Sequence, residues 1–319
     1  MPPGASKTVV LSSPMDNSLA GFDAERFLAE YWQRKPCLIR DGLPGFISPL
    51  DGDELAGLST DEDVESRIVA QRDGEWEMRF GPFDDEDFAA MGDADWTLLV
   101  QAVDLWVPAV RRLRDHFSFL PPWRLDDIMV SFAAPGGGVG PHFDYYDVFL
   151  LQAEGQREWR IGQACDGSSA IVTTSGLKQL ETFEETARWI VEPGDIVYIP
   201  PGIAHWGIAH TPCLTYSIGF RAPTLAEMLG DLATELMARG DDRYLTDPPL
   251  TTAMATERID PAFVAQAAAL LRSLPDDNDV LTDWFARYMT APKYPELALD
   301  EQRRAETPDV RYEDGEALD

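Results

Sequence analysis

The sequence predicts a mainly β protein, a sandwich or barrel of short strands with helices before and after it. Two observations carry that expectation. Between Asp127 and Phe220, the apolar runs DIMVSFAA, YDVFLLQA, REWRIG, RWIV, DIVYIP and CLTYSIGF are separated by Gly and Pro, the texture of an all-β domain. After Pro223 the period changes: in TLAEMLGDLATELMARG, Leu225, Met228, Leu229, Leu232 and Leu236 recur at helical spacing. A third observation bounds the class. Apolar residues make up 45% of the 319, enough for a core, yet no apolar run reaches the ~18 residues of a membrane-spanning helix.

Taken in order, residues 1–16 read as a loose terminus. From Asp23, AERFLAEYWQ reads as a short helix with Phe27, Leu28 and Tyr31 on one face, and KPCLIR as a strand. Residues 51–65 and 84–95 are acid-rich and belong on the surface. WTLLVQAVDLWVPAVRRLRDHF (96–117) reads as a helix that Pro108 breaks or restarts. The β runs follow, then the helices around Leu225–Leu236, AFVAQAAALLRSL and VLTDWFARYM. From Pro292 the chain is charged and punctuated by Pro.

Fifty-six acidic residues against 26 basic give a formal net charge of −30. Such a field repels nucleic acid and anionic lipid. It suits attraction of a basic protein, and it also suits plain solubility or a salty cytoplasm. Cys37, Cys165 and Cys213 form neither a CxxC pair nor an even set, so no disulfide framework or zinc ribbon is expected. MPPGASKTVVLSSPMD lacks the basic and apolar blocks of a signal peptide. The expected location is the cytoplasm.

The chain has four histidines, and two stand in informative settings. His142 follows the loop PGGGVGP and precedes Asp144 by two, which in a regular strand puts both side chains on one side. His205 ends GDIVYIPPGIAH, where a Pro-Pro-Gly turn delivers it after an apolar strand. Two histidines and a carboxylate in this order are the pattern of a facial triad, which holds Fe(II) and leaves positions open for a co-substrate and oxygen. His116, at a helix end, and His210, in a turn, read as ordinary histidines. Beyond the Glu154-Gly155 turn, Arg157 shares a strand face with Trp159 and Ile161. An inward guanidinium is costly unless a carboxylate meets it. A small dicarboxylate such as 2-oxoglutarate would do so bidentately, and so would a protein Asp or Glu. Ser131 alternates with Val130 and Phe132 and would point inward, as a co-substrate donor or a plain core hydroxyl. Tyr145 and Trp206, beside the ligands, would line a pocket or pack in the core.

These residues resemble the cupin superfamily. Its motif G-x5-P-x-G-x2-H is matched by Gly194, Pro200, Gly202 and His205, and its first motif runs from Gly136 to His142. Asp144 stands where many cupins carry a second histidine, as in JmjC-type 2-oxoglutarate oxygenases. PGGGVGPHFDYYDVFLLQAEGQREWRIG, EPGDIVYIPPGIAH, YSIGFRAP, FLAEYWQRKPCLIR and WRLDDIMVSF are similar to the bacterial ribosomal oxygenases. The resemblance implies a double-stranded β-helix with Fe(II) on His142, Asp144 and His205. It implies 2-oxoglutarate on Arg157 with help from Ser131. The implied reaction is hydroxylation of an arginine in the large-subunit ribosomal protein numbered sixteen.

The implied organisation is a supporting region over 1–90, a JmjC/cupin catalytic domain over 91–223 and a helical homodimerisation region over 224–291. Residues 292–319 would be a linker or the start of a winged-helix module. Competing readings are a 2-oxoglutarate oxygenase acting on a ribosomal histidine, another protein or a small molecule, a non-oxygenase metal-binding cupin, and a non-catalytic docking platform.

Overall fold

The computed structural model describes residues 19–72, 74–172, 176–240, 243–254, 257–273, 278–295, 312–313 and 316–317. The expected loose terminus and most of 292–319 lie outside them. The chain divides into two compact units between Arg221 and Ala222.

The first unit opens with α1 (Ala24–Glu30), capped by Asp23, then β1 (Cys37–Ile39) and α2 (Gly52–Leu58). A hairpin follows, β2 (Ser66–Arg72) and β3 (Glu75–Phe80), then α3 (Asp85–Ala89) and β4 (Trp96–Val100). Two single turns, α4 (Val103–Trp106) and α5 (Pro108–Arg111), lead to β5 (Leu125–Ala133). The strands β6 (Val148–Glu154), β7 (Arg157–Ala164), β8 (Ile171–Val172), β9 (Gln179–Leu180), β10 (Ala187–Val191), β11 (Ile196–Ile199), β12 (Ile203–Ala209) and β13 (Cys213–Phe220) complete the unit.

Eight strands form one antiparallel sheet in the order β1-β11-β6-β13-β5-β4-β2-β3, and β10-β7-β12 form a second. The strands β6, β11 and β13 of the large sheet are covered on both faces, which is why they read as nearly continuous apolar runs rather than alternating ones. Along β6, Phe149 and Leu151 pack into a core with Phe27, Leu55, Val110 and Phe117. Val148 and Leu150 point the other way, toward Trp159 and Ile161 of β7. On β5 and β13 the cavity side carries Met129, Ser131, Thr215 and Ser217, which alternate with core residues Ile128, Val130, Leu214, Tyr216 and Ile218. The period of two thus sorts one strand between a dry core and a polar interlayer space.

Three expectations change. Residues 96–117 are not one helix. Trp96–Val100 is a strand between β2 and β5, and Thr97–Val100 are buried. A strand covered on both faces has no polar side, so periodicity cannot tell it from a buried helix. Pro108 does open a new turn, at the first position of α5. Next, residues 142–144 are not in a regular strand, because β6 begins only at Val148. Last, Leu28 is exposed (37%), and Trp32 joins Phe27 and Tyr31 against the core in its place.

The second unit holds α6 (Leu225–Ala238), α7 (Pro261–Arg272) and α8 (Asn278–Thr290). Thr224 and Glu227 form a capping box on α6, and Asp260 caps α7 before Pro261. Trp284 Nε1 of α8 donates to Asp231 Oδ1 of α6 at 2.6 Å, and Arg287 forks onto Glu235 at 2.7 and 3.0 Å.

Candidate active site

The glycine-rich loop before His142 lies along β12. Gly136 N donates to Ala209 O at 2.8 Å, and Ala209 N to Gly137 O at 2.9 Å. Further along, His142 N donates to His205 O at 3.0 Å and His205 N to His142 O at 2.8 Å. A Cβ on Gly138 would strike the Gly207 carbonyl, so this close approach requires glycine. The two imidazoles end with ring centroids 4.2 Å apart. Asp144 is fixed separately, its carbonyl accepting from Gly202 N at 2.7 Å. The two motifs therefore converge by interlocking backbones, not by strand alternation through 142–144.

His142 Nδ1 lies 3.0 Å from Gly140 O, and His205 Nδ1 lies 3.0 Å from Ile203 O. A carbonyl can only accept, so each Nδ1 carries the proton and each Nε2 keeps its lone pair. His205 Nε2 is 3.6 Å from Asp144 Oδ2. One ligand atom from each of His142, Asp144 and His205 lies within 4.8 Å of the other two. Donors this close can share one ion once they draw in to bonds of about 2.0–2.2 Å to N and O. Burial, and then the neighbouring His142, push the His205 pKa down to about 4. It is therefore neutral near pH 7, the ligand form.

The triad opens on a cavity of about 360 Å³. Arg157 lines it and is only 4% exposed. Its hydrogen bonds to oxygen are long, Nη1 to Thr215 Oγ1 at 3.5 Å and Nη2 to Gly207 O at 3.4 Å, Cys213 is a further side-chain partner, and among the described residues Nε has none. Among the described residues no carboxylate lies within 4.0 Å of it, so none of them is the protein Asp or Glu that would meet it. Burial lowers its pKa. Its guanidinium lies 4.9 Å from the Trp159 ring. A buried, under-satisfied fork of donors beside a two-His, one-carboxylate cluster fits a ligand carboxylate. Ser131 is 5% exposed, lines the same cavity and stands opposite Thr215 in register.

Other sequence candidates fall elsewhere. Tyr146, not Tyr145, lines the cavity. Trp206 packs under Arg160, 5.0 Å from its guanidinium, and against Phe183. His210 Nε2 lies 3.6 Å from Glu158 Oε2, and His116 sits near the end of a short 3-10 helix over Arg112–Phe117. The sequence reading missed Thr215, whose signal was its alternation with Leu214 and Tyr216. It also missed Gly207, whose small size only the structure explains.

A family profile described as "JmjC domain" matches residues 112–228. The chain is 36% identical over 288 residues to the ribosomal protein uL16 3-hydroxylase of Escherichia coli strain K12, covering 90% of this chain and 76% of that protein. It is 37% identical over 238 residues to a "Probable ribosomal oxygenase" of Haemophilus influenzae, covering 73% of this chain and 59% of the relative. Among solved structures it is similar to the E. coli ribosomal oxygenase YcfD in complex with cobalt and 2-oxoglutarate. There the TM-score is 0.77 at 36% identity, covering 86% of this chain and 73% of that one. The same enzyme with cobalt and succinic acid gives 0.76 at 35%, covering 86% and 72%.

Proposed function

The chain belongs to the JmjC-type ribosomal oxygenases, and we propose that it is an Fe(II)- and 2-oxoglutarate-dependent protein hydroxylase whose substrate is an arginine of ribosomal protein uL16. One observation supports the reading most strongly: the buried Arg157, which no carboxylate among the described residues meets, opens on the same cavity as the triad. Iron with 2-oxoglutarate and oxygen supplies the oxidation of a substrate C–H bond, with succinate and carbon dioxide as by-products.

In this reading Nε2 of His142, Nε2 of His205 and a carboxylate oxygen of Asp144 hold the iron. The Arg157 fork takes the distal carboxylate of the co-substrate and fixes its length axis in the cavity. The Thr215 hydroxyl donates to Gln152 Oε1 at 3.1 Å, so its oxygen accepts from Arg157 and steadies the guanidinium. Ser131 Oγ has no hydrogen-bond partner among the described residues and is free to donate to that same carboxylate. Val148, Leu150 and Trp159 form apolar walls that exclude water from the reacting centre.

Two further parts belong to the same reading. Exposed Leu225, Leu229 and Met237 on α6, and Val264 and Leu271 on α7, suit homodimerisation through the second unit. No helix among the described residues is long and apolar enough to cross a membrane, which agrees with a cytoplasmic site of action.

The test loads the protein with Fe(II) without air, adds 2-oxoglutarate and a uL16 fragment, and then admits oxygen. Mass spectrometry should find one added oxygen on an arginine, absent with His142→Ala. Succinate without a modified fragment would keep the oxygenase and discard the substrate. No iron binding and no succinate would discard the enzyme.

A further inference from the structure

The cavity carries a charge imbalance that the metal site does not explain. Arg67, Arg157 and Lys178 line it against one carboxylate, that of Asp144, in a chain of formal net charge −30. The three cations are graded by burial: Arg157 is buried, Arg67 half-buried and Lys178 exposed. Among the described residues neither Arg67 nor Lys178 has a carboxylate within 4.0 Å. The Arg67 guanidinium has one hydrogen bond there, Nη2 to Met129 Sδ at 3.9 Å, and a thioether is a weak acceptor.

Register connects the inner and outer cations. Arg67 stands opposite Leu99, Leu99 opposite Ser131, and Ser131 opposite Thr215. All four line the cavity, so they form one row across β2, β4, β5 and β13. At a strand spacing of ~4.8 Å the row spans roughly 14 Å of backbone. Arg157 reaches the Thr215 end with its Nη1, and Arg67 supplies the other end.

We propose that Arg67 and Lys178 form the entry path for the dianionic co-substrate, drawing 2-oxoglutarate in along this row to Arg157; the inference rests on reading the cavity as a 2-oxoglutarate site. The acidic exterior repels a dianion. Salt limits that repulsion to about 8 Å at physiological ionic strength, so charges at the mouth decide what enters. Low-dielectric cavity walls concentrate their field. A half-buried guanidinium without an acid is under-solvated until an anion arrives. Succinate, also a dianion, leaves by the same path.

The test is stopped-flow tryptophan emission on Mn(II)-loaded protein mixed with 2-oxoglutarate, with Trp159 as the cavity reporter. Arg67→Gln and Lys178→Gln should each slow association roughly threefold at low salt, and the double variant roughly tenfold. The differences should fade toward about 1 M salt. Arg67→Lys should retain most of the rate. Lys35→Gln, beside Tyr31 and Glu30 and outside the cavity lining, removes the same charge and should change nothing.

Wild-type association in the double variant overturns the proposal, as does an equal loss with Lys35→Gln. Variants that keep 2-oxoglutarate association but lose affinity for the uL16 fragment would assign these cations to an acidic group of the protein substrate, and overturn it too. Arg157→Gln separates the two readings. If it binds 2-oxoglutarate like wild type, or if wild type does not bind it, the co-substrate site falls and the path falls with it.

Discussion

Replacing Gly207 with alanine tests the proposed role of Arg157 as co-substrate anchor without touching a residue of the His142, Asp144 and His205 cluster. A Cβ at Gly207 would lie 2.5 Å from Arg157 Nε and 2.7 Å from Trp159 Cη2 and Cζ3. Ordinary contact begins at 3.4 Å, so 3.4 − 2.5 leaves a shortfall of 0.9 Å. Arg157 and Trp159 are 4% and 5% exposed, and neither can relax into solvent. Overpacking of this kind costs about 1–3 kcal/mol of stability. A guanidinium moved by nearly 1 Å stretches a 2.7–2.9 Å charge-assisted bond past hydrogen-bonding range. Losing it weakens 2-oxoglutarate binding by about 1.5–3 kcal/mol, roughly 10- to 150-fold. The assay is tryptophan emission of the Mn(II)-loaded variant titrated with 2-oxoglutarate, beside a thermal melt. Mn(II) affinity should match wild type, because no ligand moves. A folded Gly207→Ala protein that binds 2-oxoglutarate with wild-type affinity would refute the role of Arg157.

Three more outcomes are expected. Arg157→Met should abolish 2-oxoglutarate binding yet raise stability by about 1–3 kcal/mol in a thermal melt, because it removes a buried, uncompensated cation; an unchanged or lower melting temperature counts against that. Tyr198→Phe should cost about 1–3 kcal/mol with catalysis intact, since Tyr198 Oη donates to buried Asp147 at 2.6 Å and accepts from Gln33 N at 2.7 Å; denaturant unfolding measures it. In the second unit, Arg287 and then Arg239 pull the Glu235 pKa down to about 2. A depressed carboxylate stabilises fully above its unfolded value near 4.5 and loses that contribution as pH falls toward 2. With the pair near the surface the loss is about 1 kcal/mol, and Glu235→Gln should remove the pH dependence between those values.

The legibility of the sequence followed local chemistry. His142, Asp144 and His205 were readable because their motifs are short and the glycines and prolines around them are distinctive. Arg157 was readable because a charge on the apolar face of β7 breaks a period of two. The hairpin of β2 and β3 went unassigned even though Asp73-Gly74, a hairpin turn signal, separates SRIVAQR from EWEMRF. The strand Trp96–Val100 was masked by its own burial, since both neighbours and both faces are protein. Thr215 and Arg67 reach the cavity from strands distant in sequence, and Gly207 acts behind it, against Arg157 and Trp159. Only register across the large sheet brings Arg67 into line with Ser131.

The paired hydrogen bonds between the backbones of His142 and His205 bear on how the protein responds to iron supply. The chain closes this part of its fold with its own amides, so assembly does not wait for a cation. Protein made under iron starvation should accumulate intact, with its imidazoles already aligned. Activity would then return at the rate at which iron diffuses in, without a refolding step.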